Sequence, residues 1–212
     1  MLLGKKKSGY TRNEIVKKLD ISDGGEITKI LNALQSSDII EKYVPFGTGS
    51  KIPNYRLIDP FCLFCLNFAN NRNENRFWSL NLDSQKITLW KGLAFENVCF
   101  AHAEQIKASL GAGDVYAEAS PYYDKDDGHQ VDLVLKRKDN VINLCEIKFY
   151  SSIFTVSKEY FLKVNERKNC IAEIMPKKWA VRNVLISTYG LKKNEYSTTF
   201  TNSLTLDDLF LF

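Results

Sequence analysis

The chain has 212 residues, a hydrophobic fraction of 44%, a charged fraction of 25% and a formal net charge of +4. These proportions belong to a chain that folds around a core and exclude an extended disordered one; the length suits one ordinary domain, or a small domain joined to a medium one. The mild basic excess permits a nucleic-acid partner without requiring it.

The longest apolar run, "FCLFCLNFA" from Phe61 to Ala69, is far below the roughly 20 residues that cross a bilayer. "MLLGKKKSGY" has too short an apolar stretch for a signal peptide. A soluble, cytoplasmic protein with no membrane partner is expected.

The first predicted helix lies in "TRNEIVKKLDI", where Ile15, Val16 and Leu19 share a face and Thr11 with Glu14 has the spacing of a capping box. "SDGG" breaks the chain. "GGEITKILNALQSSDII" then repeats the pattern, with Ile27, Ile30, Leu31 and Leu34 inward and Glu26, Thr28, Lys29, Asn32 and Gln35 outward. Two extended stretches follow, "IIEKYVPFG" and "NYRLID", joined by the turn "TGSKIP". Helix, turn, helix and two-stranded wing is the order of a winged helix-turn-helix. Its second helix would present Lys29, Asn32 and Gln35 to DNA. Glu26 and Asp38 disfavour phosphate, so a helical module that binds protein stays open. Only ten residues precede Thr11, so the usual preceding helix is clipped or replaced, and the chain is expected to begin inside a longer ancestral protein. The character changes at Asp59-Pro60, which sets residues 1–60 apart as a partial winged-helix unit.

Residues 61–89 read as a connecting segment: a helix, a loop centred on "NNRNEN", and a further irregular or helical piece. Cys62 and Cys65 have CxxC spacing, but no second pair exists and neither histidine is near. Buried thiols are the expectation, not a zinc site. From Trp90 onward the order is helix, strand, strand, strand, helix, strand, which is a mixed α/β sheet flanked by helices. "GLAFENVCFAHAEQIKASLG" carries Phe95, Val98, Cys99, His102, Ile106 and Leu110 at helical spacing and stops at Gly111. His102 reads as a satisfied core histidine. The strands are "DVYAEASPYY", "QVDLVL", "NLCEIKFY" and "AVRNVLISTYG". A helix lies in "IFTVSKEYFLKVNERKNCIAEI", and "SLTLDDLF" closes the chain as a short helix or strand.

The chemistry sits on the middle strands. Asp132 alternates with Val131 and Leu133, and Glu146 and Lys148 share a face about 7 Å apart. If the strands pair through "KRKDN", all three charges stand on one face, and the apolar alternates pack against helices. Two neighbouring carboxylates repel unless a cation sits between them. Hard oxygen donors on a rigid strand pair suit Mg²⁺ or Mn²⁺. A lysine beside such an ion can orient or deprotonate water, or stabilise charge on a phosphate. The bland alternative is a structural salt bridge; the apolar flanks of "NLCEIKFY" argue for a cleft over a solvated face. His129, beside Asp132, reads as a turn residue.

Glu96 adds a fourth residue, an acid on the preceding helix. A helical glutamate, a strand aspartate and a Glu-x-Lys pair resemble the PD-(D/E)XK nuclease superfamily. The resemblance implies a restriction-endonuclease-like fold for residues 90–212. It also implies metal ligation by Glu96, Asp132 and Glu146, with Lys148 as the catalytic lysine. On the following helix, where Lys158, Tyr160 and Lys163 also lie, Lys168 fits the family's later lysine. Val131 stands where the superfamily pattern has proline.

"YRLIDPFCLFCLNF", W-x-G-x-x-FE, "GHQVDLVL", "NLCEIKFY" and "FTVSKEY", in this order, are similar to the C-terminal region of a family of archaeal and bacterial P-loop ATPases. There a winged helix and a nuclease-like domain follow the ATPase core. The core itself is missing: "GTGSKIPN" has neither the spacing nor the following helix of a phosphate loop, so no ATPase activity is expected. The leading expectation is a metal-dependent nuclease-like domain with a winged helix, binding or cleaving DNA. The alternative is a non-catalytic DNA- or protein-binding regulatory module of an ATPase system, with an ATPase or other protein as partner. A weaker third is a transcription regulator dimerised through its α/β part.

Overall fold

The capping box at Thr11 forms. In the computed structural model, which describes residues 2–47, 51–69, 76–123 and 128–210, Thr11 Oγ1 accepts from the Glu14 backbone N–H and Glu14 Oε2 accepts from the Thr11 N–H at 2.7 Å. It starts helix α1, Arg12–Leu19, which stops where Asp20 takes the left-handed conformation at φ 52°. Helix α2 spans Gly25–Ser36. Three short strands complete this part: β1, Tyr10–Thr11; β2, Ile40–Tyr43; and β3, Asn54–Leu57. They form an antiparallel sheet in the order β1-β3-β2. β1 lies against β3 because Gly9 precedes it: at φ +61° a side chain there would put its Cβ 2.0 Å from the Tyr55 carbonyl oxygen.

Tyr10, Ile15, Ile27, Leu31, Ile40 and Tyr55 form the buried cluster of this sheet and its helices. Two expected core residues are not in it. Ile30 is exposed, because the buried stripe of α2 is the narrow Ile27–Leu31 row with Leu34 at its edge, one position away. Leu19 is exposed because it is the last residue before α1 ends at Asp20. Residues 48–50 of the expected turn and the "NNRNEN" loop at 70–75 lie outside the described residues.

Helix α3, Pro60–Phe68, follows from Asp59-Pro60. The Asp59 carboxylate accepts from the Cys62 N–H, and Pro60 sits at the first helical position, where a missing N–H costs nothing. A short helix α4, Phe77–Asn81, leads to α5, Gln85–Ala101, and α6, Ala103–Ser109. The single helix expected from Gly92 to Leu110 is therefore two. The first begins earlier, behind Ser84, whose Oγ accepts from the Ile87 N–H. The break at His102 is local, since His102 N–H still donates to Val98 and its carbonyl accepts from Ile106.

The chain divides into two compact units, Met1–Pro45 with Ser50–Asn97, and Phe46–Gly49 with Val98–Phe212; the division falls inside α5. The second unit is a mixed five-stranded sheet in sequential order: β4, Ala117–Tyr123; β5, Gln130–Arg137; β6, Val141–Lys148; β7, Ala180–Ser187; and β8, Asn202–Leu204. β4, β5 and β6 run antiparallel, and β6, β7 and β8 parallel. At the β5–β6 turn Asn140 takes the left-handed position at φ 62°, and Arg137 pairs with Asp139. Helix α7, Lys158–Ile174, makes the crossover from β6 to β7, and the Ser157 hydroxyl caps its start.

Helix α7 places Ile171 in a cluster with Val131, Val134, Ile142 and Leu144, and Val164 in another with Phe154, Val156, Leu185 and Phe200. "SLTLDDLF" supplies the last two residues of β8 and a 3-10 turn, Asp207–Leu209. Among the described residues no helix is long and apolar enough to cross a membrane.

Candidate active site on the central hairpin

The β5–β6 ladder pairs Lys136 with Ile142 and runs to Leu133 opposite Cys145. One step beyond lie Asp132 and Glu146, only 6% and 3% exposed. Here a side chain continues what the backbone ladder began: Asp132 Oδ2 accepts from the Ile147 N–H at 3.0 Å. Lys148 Nζ lies 3.8 Å from Asp132 Oδ2 and 3.7 Å from Glu146 Oε2. The three charges singled out on these strands thus meet at one end of the hairpin.

The face they share is not an open one. Glu146 is two residues beyond Leu144, and Asp132 two before Val134, so both stand on the face that Ile171 of α7 covers. The expectation that the apolar alternates alone would pack against helices is corrected accordingly. The helix brings its own polar groups: Tyr160, Val164, Arg167 and Ile171 recur at helical spacing along its inner stripe. Tyr160 Oη donates to Glu146 Oε2 at 2.7 Å. Arg167 Nη2 donates to Glu146 Oε1, and its Nη1 to the Gln130 carbonyl at 2.6 Å. Lys148 Nζ also sits 5.7 Å from the centre of the Tyr160 ring. Burial, and then the Glu146 charge, push the Tyr160 phenol well above its usual range, so the ring keeps its proton and remains a donor.

Two carboxylates therefore face two cations. Arg167 was not anticipated from sequence; Lys168, which was, is a half-buried neighbour one position off the inner stripe. The missed signal was the stripe itself, since a charge at the spacing of Tyr160, Val164 and Ile171 must point inward. Tyr160 was singled out and is in place.

Glu96 lies in the first unit, where Lys7 Nζ pairs with its Oε2 at 2.7 Å. Lys29, Asn32 and Gln35 are exposed on α2. Arg12 bonds Asp23 and the Thr28 hydroxyl at the start of that helix. His102 stacks edge-on with Phe210 at 5.0 Å, but its buried Nδ1 has no hydrogen-bond partner, so it is not the satisfied core histidine expected.

Mg²⁺ and Mn²⁺ prefer six oxygen donors in an octahedron. Asp132 and Glu146 are donors of the right kind, with waters to complete the set. Glu146, however, gives one oxygen to Arg167 and the other to Tyr160 and Lys148, so a bound ion would have to draw Glu146 away from them. Among the described residues no group of three or more His, Cys, Asp or Glu side chains is arranged to hold a metal. No protein-family model, curated protein or solved structure matches this chain.

Proposed function

We propose that the chain is a DNA-binding, nuclease-like protein whose second unit has a restriction-endonuclease-like fold and hydrolyses phosphodiesters with a divalent cation. The observation that carries this reading is the convergence of Asp132, Glu146 and Lys148 at one hairpin end. Asp132 and Glu146 would hold Mg²⁺ or Mn²⁺, which supplies Lewis-acid stabilisation of the phosphate. Lys148 orients the attacking water. The new bond is water oxygen to phosphorus and the broken one is phosphorus to the leaving oxygen; the attacking water gives up one proton to solvent, and a proton from solvent completes the alcohol.

The first unit, on this reading, is a winged-helix unit. Support comes from its order, β1, α1, α2, β2, β3, with β1 paired to β3 and with Lys29, Asn32 and Gln35 exposed on the second helix. The test is incubation with Mg²⁺ and a panel of plasmid, linear duplex and single-stranded DNA. Cleavage is expected, and is lost in Asp132→Ala with the melting curve retained. Undiminished cleavage by that variant would remove the mechanism.

One observation favours a second reading, a non-catalytic DNA- or protein-binding module that partners an ATPase: both Glu146 oxygens are already engaged. Titration calorimetry with Mn²⁺ separates the two. No heat at millimolar ion, from a protein with an intact melting transition, selects the module.

A further inference from the structure

Strands β6 and β7 end together, with Lys148 opposite Ser187 in the parallel register. The segments that leave them are stitched to one another. The Tyr150 N–H donates to Thr188 Oγ1 at 2.9 Å, and that hydroxyl donates back to the Tyr150 carbonyl at 2.8 Å. Further along, the Phe154 N–H donates to Gly190 and the Lys192 N–H to Phe154. Two loops, residues 149–154 and 188–193, are thereby held side by side next to Lys148.

Their composition is unusual for a surface. Phe149, Tyr150, Ile153 and Tyr189 are 40%, 48%, 57% and 59% exposed, and Lys192 and Lys193 are exposed with them. Neither loop contains an acid: "FYSSIF" and "TYGLKK" hold rings, hydroxyls and amines. Scattered exposed apolar residues need no explanation, but rings grouped on rigid loops beside a buried charged site do. The Tyr150 ring packs edge-on against Phe154 at 5.1 Å, and Phe154 against Tyr160 at 5.5 Å, whose hydroxyl bonds Glu146. The exposed Tyr150 ring is thus linked to the Glu146 carboxylate through Phe154 and Tyr160.

We propose that these two loops form a platform for single-stranded nucleic acid. Bases stack on Tyr150, Tyr189 and Phe149, and phosphates meet Lys192 and Lys193, so that the strand passes Lys148. Stacking needs a free base face, which a paired duplex does not offer, while every unpaired base does. The lysines and the lack of acids match a phosphate backbone better than they match a protein surface. The hydrogen-bonded stitching holds the rings in place before binding, which lowers the entropy that binding must overcome. The inference deepens the nuclease reading by naming its substrate as an unpaired strand, and depends on it only for what happens at Lys148.

The experiment is fluorescence anisotropy of a labelled oligothymidine of about 20 nucleotides, with the full chain in EDTA so that nothing is cut, against a duplex of the same length. The expected result is at least tenfold tighter binding of the single strand. Tyr189→Ala, at a solvent-facing ring, and the pair Lys192→Gln with Lys193→Gln should each weaken it by about tenfold. Unchanged single-strand affinity in a Tyr150→Leu, Tyr189→Ala double variant with a wild-type melting curve overturns the platform and leaves the patch to a protein partner. Single-strand binding without cleavage by the wild type counts against the nuclease reading alone. Duplex cleavage without single-strand binding counts against the platform alone.

Discussion

A carboxylate as buried as Glu146 is stable as an anion only with charge and hydrogen bonds supplied around it, and Arg167 and Tyr160 supply both. With Asp132 and Lys148 the cluster holds two negative and two positive groups. A divalent ion entering it would leave two uncompensated positive charges in a buried place unless Arg167 withdrew. Arg167 and a bound divalent ion would therefore compete. Arg167→Met, which keeps the stem volume and removes the charge, should bind Mn²⁺ at least tenfold tighter than the wild type by calorimetry. Without metal it should be less stable by about 3 kcal/mol, and Mn²⁺ should raise its melting temperature more than that of the wild type. Equal Mn²⁺ affinities in the two proteins would show no competition. Tyr160 gives a pH signature. Its phenol is raised in the folded state, so its contribution is intact below the unfolded value near 10 and declines as pH rises above it, by about 1.4 kcal/mol per pH unit while the folded form keeps its proton. Tyr160→Phe should flatten that decline in urea denaturation between pH 9.5 and 11 by about this amount. Asp132, Glu146 and Lys148 were legible in the sequence because alternation and one short turn fix their common face. Arg167 was not read, because its meaning depends on the phase of a helix whose stripe includes charge. Lys168, preferred by resemblance, is turned about 100° away from it around the helix.

At the scale of elements, α7 joins stability to the site. Ile171 is fully buried against the middle strands, on the same stripe as Arg167. Ile171→Ala should cost about 2–5 kcal/mol in chemical denaturation, and by loosening the stripe should also weaken the Arg167–Glu146 contact. Thr11→Ala removes the capping box of α1 and should cost about 1 kcal/mol, with no effect on Mn²⁺ binding. Strands β4 to β7 and helix α7 could be read from period and turn chemistry, since each is a strongly patterned local run; β8, three residues long, reads equally as helix or strand. That the sheet is mixed was expected; which neighbours run parallel could not be read, because the pairing of β7 with β6 joins residues nearly forty apart in sequence. The early start of α5 was missed because its N-cap, Ser84, sits in a stretch with no clear period. The opening at His102 was missed because the apolar spacing runs through it without a break.

At the scale of the whole molecule, a net charge of +4 drawn from 29 cationic and 25 anionic side chains gives no broad basic field, so binding to nucleic acid must come from local groups. The two units offer different ones: Lys29 on the exposed side of α2, and Lys148, Lys192 and Lys193 at the ends of β6 and β7. Each phosphate neutralised on a single strand contributes about 0.7 to the slope of log affinity against log salt, and about 0.9 on a duplex. Three lysines, Lys192 and Lys193 on the loops and Lys148 beside them, predict a slope of about −2 for oligothymidine, measured by anisotropy from low to moderate salt. Lys192→Gln with Lys193→Gln should bring it to about −0.7. Lys29→Ala should leave that slope unchanged and should instead reduce the magnitude of the duplex slope by about 0.9. A Lys29 variant that altered the single-strand slope would show that one surface serves both ligands. The assignment of duplex to the helical unit and of the unpaired strand to the sheet ends would then have to be abandoned.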